Sequence, residues 1–96
     1  MRQVSDVTLF GTGKVGEIEA TFDELQRVFG APEITPAGDG DGKTRANWWL
    51  RSDDGTVASI YDWKESTPLE ALTTWHVGGR THEALAHVLQ ALKDAA

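Results

Sequence analysis

Three histidines are the side chains of this sequence best suited to catalysis or metal binding. His76, His82 and His87 include no pair at the i, i+4 spacing, and the chain has no cysteine to complete a zinc site. His76 lies in a segment with strand character, where it could act as a general base beside Asp62 or Glu65. No serine stands in a nucleophile-elbow context. The sequence therefore predicts no metal site and no catalytic residues, and a small enzyme that uses His76 is the third of three hypotheses.

Two glycine-rich segments look like ligand loops but lack the residues that those loops need. GTGKVG (11–16) matches G-x-G-x-x-G, yet a dinucleotide site needs a helix at that loop, and the predicted helix begins only at Thr21. DGDGKT (39–44) begins like a calcium loop, but Lys43 and Thr44 replace the oxygen ligand and the glycine of its fifth and sixth positions. The two segments predict a turn and an acidic loop, and no cofactor.

The turn of a predicted hairpin over residues 44–64 decides which way the clustered aromatic rings point. The segment SDDGT favours a type I turn followed by Gly55 in the left-handed region, which places Trp48 opposite Ile60. The apolar face predicted from this register consists of Trp48, Leu50, Ala58 and Ile60. A two-residue turn at Asp54-Gly55 would mix the two faces, because a one-residue slip reverses the facing of a strand.

The other face of this hairpin carries alternating aromatic and basic side chains. Rings interleaved with guanidinium groups can stack a base and hold a phosphate, and the same residue types dominate protein interfaces. A helix or the 31–43 loop that folds over this face would instead bury it. The candidate residues for binding a ligand or partner are Arg45, Asn47, Trp49, Arg51, Tyr61, Trp63, Lys64 and His76.

Two predicted helices flank the hairpin in the sequence. Residues 21–30 begin with a capping box of Thr21 and Glu24 and end at Gly30, and residues 81–96 form the second helix. The predicted buried stripe of the second helix is Leu85, Val88, Leu89 and Leu92.

The remaining segments complete the order β(β)αβββα. Residues 6–20 form one strand or two, with a turn at GTGK, and residues 31–43 form a loop. Residues 66–72 form a short helical turn capped by Thr67, and a final strand over 73–79 ends at a glycine pair. The sequence therefore predicts an α+β two-layer sandwich, with an antiparallel sheet of four to five strands and both helices on one face.

Length and composition restrict the classes of function. The 96 residues make a single domain (1–96), and a net charge of −6 argues against bulk DNA binding, which relies on an excess of Lys and Arg. No apolar run is long enough to span a bilayer, and the first residues lack the apolar region of a signal peptide. We therefore expect a cytoplasmic protein with no membrane association.

Four segments carry a resemblance to known proteins. TFDELQRVFGAP, NWWL, DGTVASIYDWK and TTWHVGG resemble small uncharacterised bacteriophage accessory proteins that share Phe-Gly-x-Pro, Ile-Tyr-Asp-x-Lys and Trp-His-x-Gly-Gly segments. The likeness covers about residues 20–80. It implies a phage protein that blocks or sequesters a component of host defence inside an infected bacterium, and it carries no catalytic residues across.

The leading hypothesis is a non-enzymatic binding protein that acts through its tryptophan-rich sheet face and the Trp75–Gly79 segment. Its partner would be a host protein or a small anionic, nucleotide-like ligand. The second hypothesis is a homodimer in which the aromatic face is the interface between the two copies.

Overall fold

The secondary structure is an antiparallel sheet with two α-helices, seen in a computed structural model that describes residues 1–4, 13–34, 45–63 and 67–95. The elements in chain order are β1 (Arg2–Gln3), β2 (Gly13–Glu19), α1 (Phe22–Phe29), β3 (Glu33–Ile34), β4 (Ala46–Arg51), β5 (Val57–Tyr61), a 3₁₀ turn (Leu69–Ala71), β6 (Thr74–Gly79) and α2 (Glu83–Ala95). The strand order in the sheet is β1-β4-β5-β6-β2, and β3 also pairs with β4. The predicted α+β class is confirmed, with six strands in place of four to five.

The hairpin register follows the prediction from SDDGT. Trp48 pairs with Ile60 across β4 and β5, and Gly55 has a φ of 89°. The Ser52 amide donates to the Thr56 carbonyl at 2.9 Å, and the Gly55 amide donates to the Ser52 carbonyl at 3.0 Å. The three-residue turn therefore sets which side chains of β4 and β5 point toward the helices.

Two buried tryptophans form the centre of the core. The rings of Trp48 and Trp75 meet edge to face, with centroids 5.4 Å apart, and Phe22 from α1 packs against both. The Trp48 indole donates to the Gly30 carbonyl at 2.8 Å, and the Trp75 indole donates to the Ala20 carbonyl at 2.9 Å. Trp75 is fully buried, so the expectation that the Trp75–Gly79 segment takes part in binding is wrong for this side chain.

Helix α1 has the predicted ends. The Glu24 amide donates to the Thr21 hydroxyl and the Thr21 amide donates to the Glu24 carboxylate, both at 3.1 Å, which makes the capping box. The helix ends at Gly30, whose φ is 87°. From β1, the Gln3 side-chain amide donates to the Phe29 carbonyl at 2.8 Å, which ties the end of α1 to the sheet edge.

Helix α2 packs on the sheet with Leu85, Val88 and Leu92 of its predicted stripe, and the prediction is wrong only for Leu89. Ala84 and Val88 are its buried residues, Leu85 and Leu92 are partly buried, and Leu89 is 48% exposed. The cause is the close approach of α2 to β6, since a Cβ added at Gly79 would lie 2.3 Å from the Ala84 Cβ. A small residue must therefore occupy the centre of the contact, which rotates Leu89 outward.

Two local predictions around the sheet need correction, and others fall on residues that the structure does not describe. Gly13 and Lys14 of the predicted GTGK turn belong to β2, where they pair with the glycines of β6. Part of the predicted 31–43 loop forms β3, which pairs with β4 and covers its outer edge. The predicted strand over 6–10 and the glycine-rich 38–42 segment lie outside the described residues.

The predicted cap at Thr67 is also wrong. The 3₁₀ turn begins after Pro68, whose side chain has no hydrogen-bond acceptor to cap it, and the Ala71 amide donates to the Pro68 carbonyl at 2.9 Å. The carbonyl of Thr67 instead accepts a hydrogen bond from Arg45 at 2.7 Å.

No helix in the described part of the chain is long and apolar enough to cross a membrane.

We expect Trp48→Ala to lower the free energy of unfolding by about 3–5 kcal/mol, because it leaves a cavity and removes the donor to Gly30. The adjacent Trp49→Ala is the matched control and should lose less than half as much, since Trp49 points to the other face and is only half-buried. Urea unfolding followed by far-UV circular dichroism measures both. Equal losses would contradict the register.

We expect Gly79→Ala to destabilise the protein by about 1–3 kcal/mol, because the added methyl group overlaps Ala84. Gly13→Ala is the control, since Gly13 is the cross-strand partner of Gly79 and a Cβ there meets nothing within 4 Å. Its stability should change by less than about 1 kcal/mol. Thermal unfolding of the two variants checks the difference, and similar melting temperatures would refute the close approach of α2.

Candidate functional site

The sheet face that points away from α1 and α2, called here the outer face, holds most of the predicted binding residues. Cross-strand partners share a face of a sheet, so the strand register arranges these side chains in rows. The rows are Asn47, Tyr61, His76 and Glu17; Trp49, Ser59, Gly78 and Lys14; and Arg2, Arg51 and Val57. The structure therefore brings together residues from five strands, two of which the sequence had not linked to the hairpin.

Tyr61 lies at the centre of an aromatic group on this face. Its ring centroid is 6.3 Å from that of Trp63, at an interplanar angle of 76°, and 5.6 Å from that of His76, at 53°. A Cβ at Gly78 would come within 3.4 Å of the Tyr61 ring and 2.6 Å of the Ser59 hydroxyl oxygen. Gly78 therefore leaves the space in which the Tyr61 ring lies against the sheet.

A carboxylate and an amine continue this group onto β2. The Glu17 carboxylate lies 3.7 Å from His76 Nε2 and accepts a hydrogen bond from Lys14 Nζ at 2.8 Å. This hydrogen bond and the positive charge of Lys14 lower the pKa of Glu17. Sequence reasoning missed both residues. The alternation of Glu17 with the buried Ile18 was the signal that could have placed Glu17 on the outer face.

The guanidinium group of Arg45 does not lie with the other predicted binding residues on the outer face. This group donates from Nε to the Asp62 carboxylate at 2.8 Å and from Nη2 to the Thr67 carbonyl at 2.7 Å. Asp62 is 1% exposed. Its Oδ1 also accepts hydrogen bonds from the backbone amide of Arg45 at 2.8 Å and from that of Ala46 at 3.0 Å. Spacing at period two predicted Arg45 on the outer face, but the buried carboxylate holds it at the start of β4 instead.

The same contacts decide the partner of His76. Both Asp62 oxygens are occupied by hydrogen bonds from Arg45 and Ala46, so Asp62 is not placed to orient the imidazole of His76. The carboxylate beside His76 in the described residues is that of Glu17. Glu65, the other predicted partner, and Lys64, a predicted binding residue, lie outside the described residues.

The outer face is only partly open. Asn47, Val57 and Ser59 are buried, which the interpretation as an open sheet did not anticipate. The half-buried side chains are Trp49, Tyr61 and His76, and the exposed ones include Arg51 and Trp63. The packed residues of the core lie on the opposite face, so neither helix covers these rings.

A second group of polar side chains lies on the other side of the molecule, between α2 and the hairpin turn. His87 Nε2 is 3.1 Å from the Asp54 carboxylate, which links α2 to the turn. Asp54 also accepts hydrogen bonds from the Ser52 hydroxyl and the Thr56 amide, and these bonds lower its pKa. These contacts stabilise the turn that sets the register, and none of the predicted binding residues takes part.

Within the described part of the chain, no group of three or more histidine, aspartate or glutamate side chains is arranged to hold a metal ion. Comparisons with protein-family models, with curated proteins and with solved structures gave no match.

Tyr61 provides a direct test of the geometry, because it is the only tyrosine of the chain. Burial raises the pKa of its phenol, and the nearby positive charge of Lys14 opposes that rise. We expect a titration of phenolate absorbance to place the pKa of Tyr61 above the usual value of about 10. Lys14→Gln should raise this pKa further, whereas Lys93→Gln on α2 should leave it unchanged.

The raised pKa of Tyr61 also makes the free energy of unfolding depend on pH. A phenol with a raised pKa holds its proton more tightly in the folded than in the unfolded state, so its contribution is complete below the unfolded pKa. That contribution is lost as the pH rises through the folded pKa. A measured pKa of Tyr61 at or below the usual value of about 10 would contradict the burial of its side chain.

Proposed function

We propose that this protein is a non-enzymatic binding protein that holds a nucleotide-like ligand on its outer face. The observation that carries the proposal is the group of Tyr61, Trp63 and His76, which lies on the face that the helices leave uncovered and keeps accessible ring surface. Base stacking on such rings contributes about 1–3 kcal/mol per base. Arg51 lies on the same face and supplies positive charge for an anionic group, whereas Lys14 is paired with Glu17.

The arrangement of His76 supports binding more than catalysis. Its described neighbours are the Tyr61 ring and the Glu17 carboxylate, whose Oε1 lies 3.7 Å from Nε2, beyond hydrogen-bond distance. The carboxylate that would have made His76 a general base in the sequence-based hypothesis is bound to Arg45. The small-enzyme hypothesis therefore loses the pairing with Asp62 on which it partly depended.

The resemblance of residues 20–80 to phage accessory proteins adds a biological setting to the proposal. In that setting the protein acts in the cytoplasm of an infected bacterium, where it sequesters a nucleotide-like molecule that host defence uses. A host protein that docks on the same face, and a homodimer formed through it, are the alternatives that the experiments below separate.

Calorimetric titration with a panel of nucleotides, together with melting temperatures, tests the proposal. At least one nucleotide should bind and raise the melting temperature, because a ligand of the folded state stabilises it. Trp63→Ala should weaken that binding about tenfold or more. Leu89→Ala is the matched control, because Leu89 is also an exposed apolar residue but lies on α2. A panel in which no nucleotide releases heat or shifts the melting temperature would refute the proposal.

Analytical ultracentrifugation at micromolar concentration separates the remaining alternatives. The proposal expects a monomer. A dimer that Trp49→Ala dissociates without unfolding would identify the outer face as the interface between two copies.

A further inference from the structure

Two arginines lie directly opposite one another at one corner of the outer face. Arg2 of β1 and Arg51 of β4 are cross-strand partners, and both side chains are exposed. No carboxylate of the described residues lies within ion-pair distance of either guanidinium group. Of the two aspartates in the adjoining turn, Asp54 is bound to Ser52, Thr56 and His87, and Asp53 forms no ion pair with either arginine.

Among the described residues, the contacts of this pair are electrostatically unfavourable. Like charges directly opposite on one face of a sheet destabilise the pairing of their strands. The chain carries 15 acidic residues against 9 basic ones, so acidic partners are common in the sequence, and still no described carboxylate lies within ion-pair distance of these two arginines. An unfavourable pair of this kind becomes favourable when an anion lies between the two guanidinium groups.

Trp49 extends this corner toward the aromatic rings. It lies two residues before Arg51 on β4, and the Val4 amide donates to its carbonyl at 2.9 Å, so its side chain is diagonal to Arg2 on the same face. Guanidinium forks bind phosphate through two parallel hydrogen bonds, whereas the neighbouring indole can contact a sugar or a base. The corner therefore combines the two kinds of contact that a nucleotide needs.

We propose that Arg2, Arg51 and Trp49 form a phosphate-binding subsite, so that the ligand of the outer face is a phosphorylated nucleoside. This inference rests on the function proposed above and adds the class of its ligand. The phosphate lies at the β1–β4 corner, and the base reaches toward the rings around Tyr61.

The test compares each of the four ribonucleosides with its 5′-monophosphate, and adds inorganic phosphate alone, against the intact chain. The monophosphate should bind about tenfold or more tightly than its nucleoside, because charge-assisted hydrogen bonds are the stronger class. This advantage should disappear in Arg51→Gln and in the double variant Arg2→Gln/Arg51→Gln. Arg27→Gln is the matched control, since it removes one exposed arginine from α1, and it should keep the full advantage.

A structural role for the arginines would give a different result. Removing Arg51 relieves the repulsion with Arg2, so the melting temperature of the unliganded Arg51→Gln variant should equal or exceed that of the wild type at low salt. A clear decrease, or a phosphate advantage that survives both substitutions, would overturn the subsite.

The outcomes also separate this inference from the proposed function. Nucleosides that bind as tightly as their monophosphates would remove the phosphate subsite and leave the stacking surface. Inorganic phosphate that stabilises the wild type but not the double variant, with no contribution from any base, would leave the subsite and remove the stacking function. A chain that binds none of these probes would refute both.

Discussion

The position of α1 over the sheet depends on two indole N–H groups. Trp48 donates to the carbonyl of Gly30, just after the helix, and Trp75 donates to that of Ala20, just before it. A buried donor without a partner would destabilise the protein by about 1–3 kcal/mol, so these two bonds fix both ends of the helix relative to β4 and β6. Since the edge-to-face contact also fixes the two rings relative to one another, the core allows one placement of α1. The alternate residues of both strands must then point to the outer face.

Adjacent glycines at the end of β6 adapt the two faces of the sheet to different neighbours. Gly79 faces α2 and lets Ala84 approach, whereas Gly78 faces outward beside the Tyr61 ring. Because successive residues of a strand point to opposite faces, Gly79 makes room only for α2 and Gly78 makes room only for the Tyr61 ring. The same dipeptide thus sets the depth of the helix layer and the position of the Tyr61 ring on the outer face. A side chain at either position would move one layer without directly contacting the other.

Local sequence signals predicted what local contacts determine. The SDDGT turn gave the register of β4 and β5, and Thr21 with Glu24 gave the start of α1, because each feature depends on residues within a few positions. The orientation of Trp75 and the capture of Arg45 by Asp62 depend on strands that meet only in the folded chain. The pattern of α2 predicted Leu85, Val88 and Leu92 correctly, but not the burial of Ala84, because the close contact with Gly79 is formed only in the folded chain. The sequence analysis did not predict three residues of the candidate site, because they lie on strands whose sheet neighbours the sequence did not reveal. These residues are Arg2, Lys14 and Glu17.

The distribution of charge on the outer face is more informative about function than the net charge of −6. The β1–β4 corner carries the two arginines, whereas the opposite edge carries Glu17 and Glu19 of β2, with Lys14 bound to the first of these. Charges at the ends of one face, with rings between them, make its electrostatic potential change along the rows, and such a gradient orients an anionic ligand as well as attracting it. Overall acidity would repel a polyanion that spans the whole surface. It would hardly oppose a small ligand whose single phosphate lies at the basic corner, because solvent-exposed charges more than about 8 Å away are largely screened at physiological ionic strength.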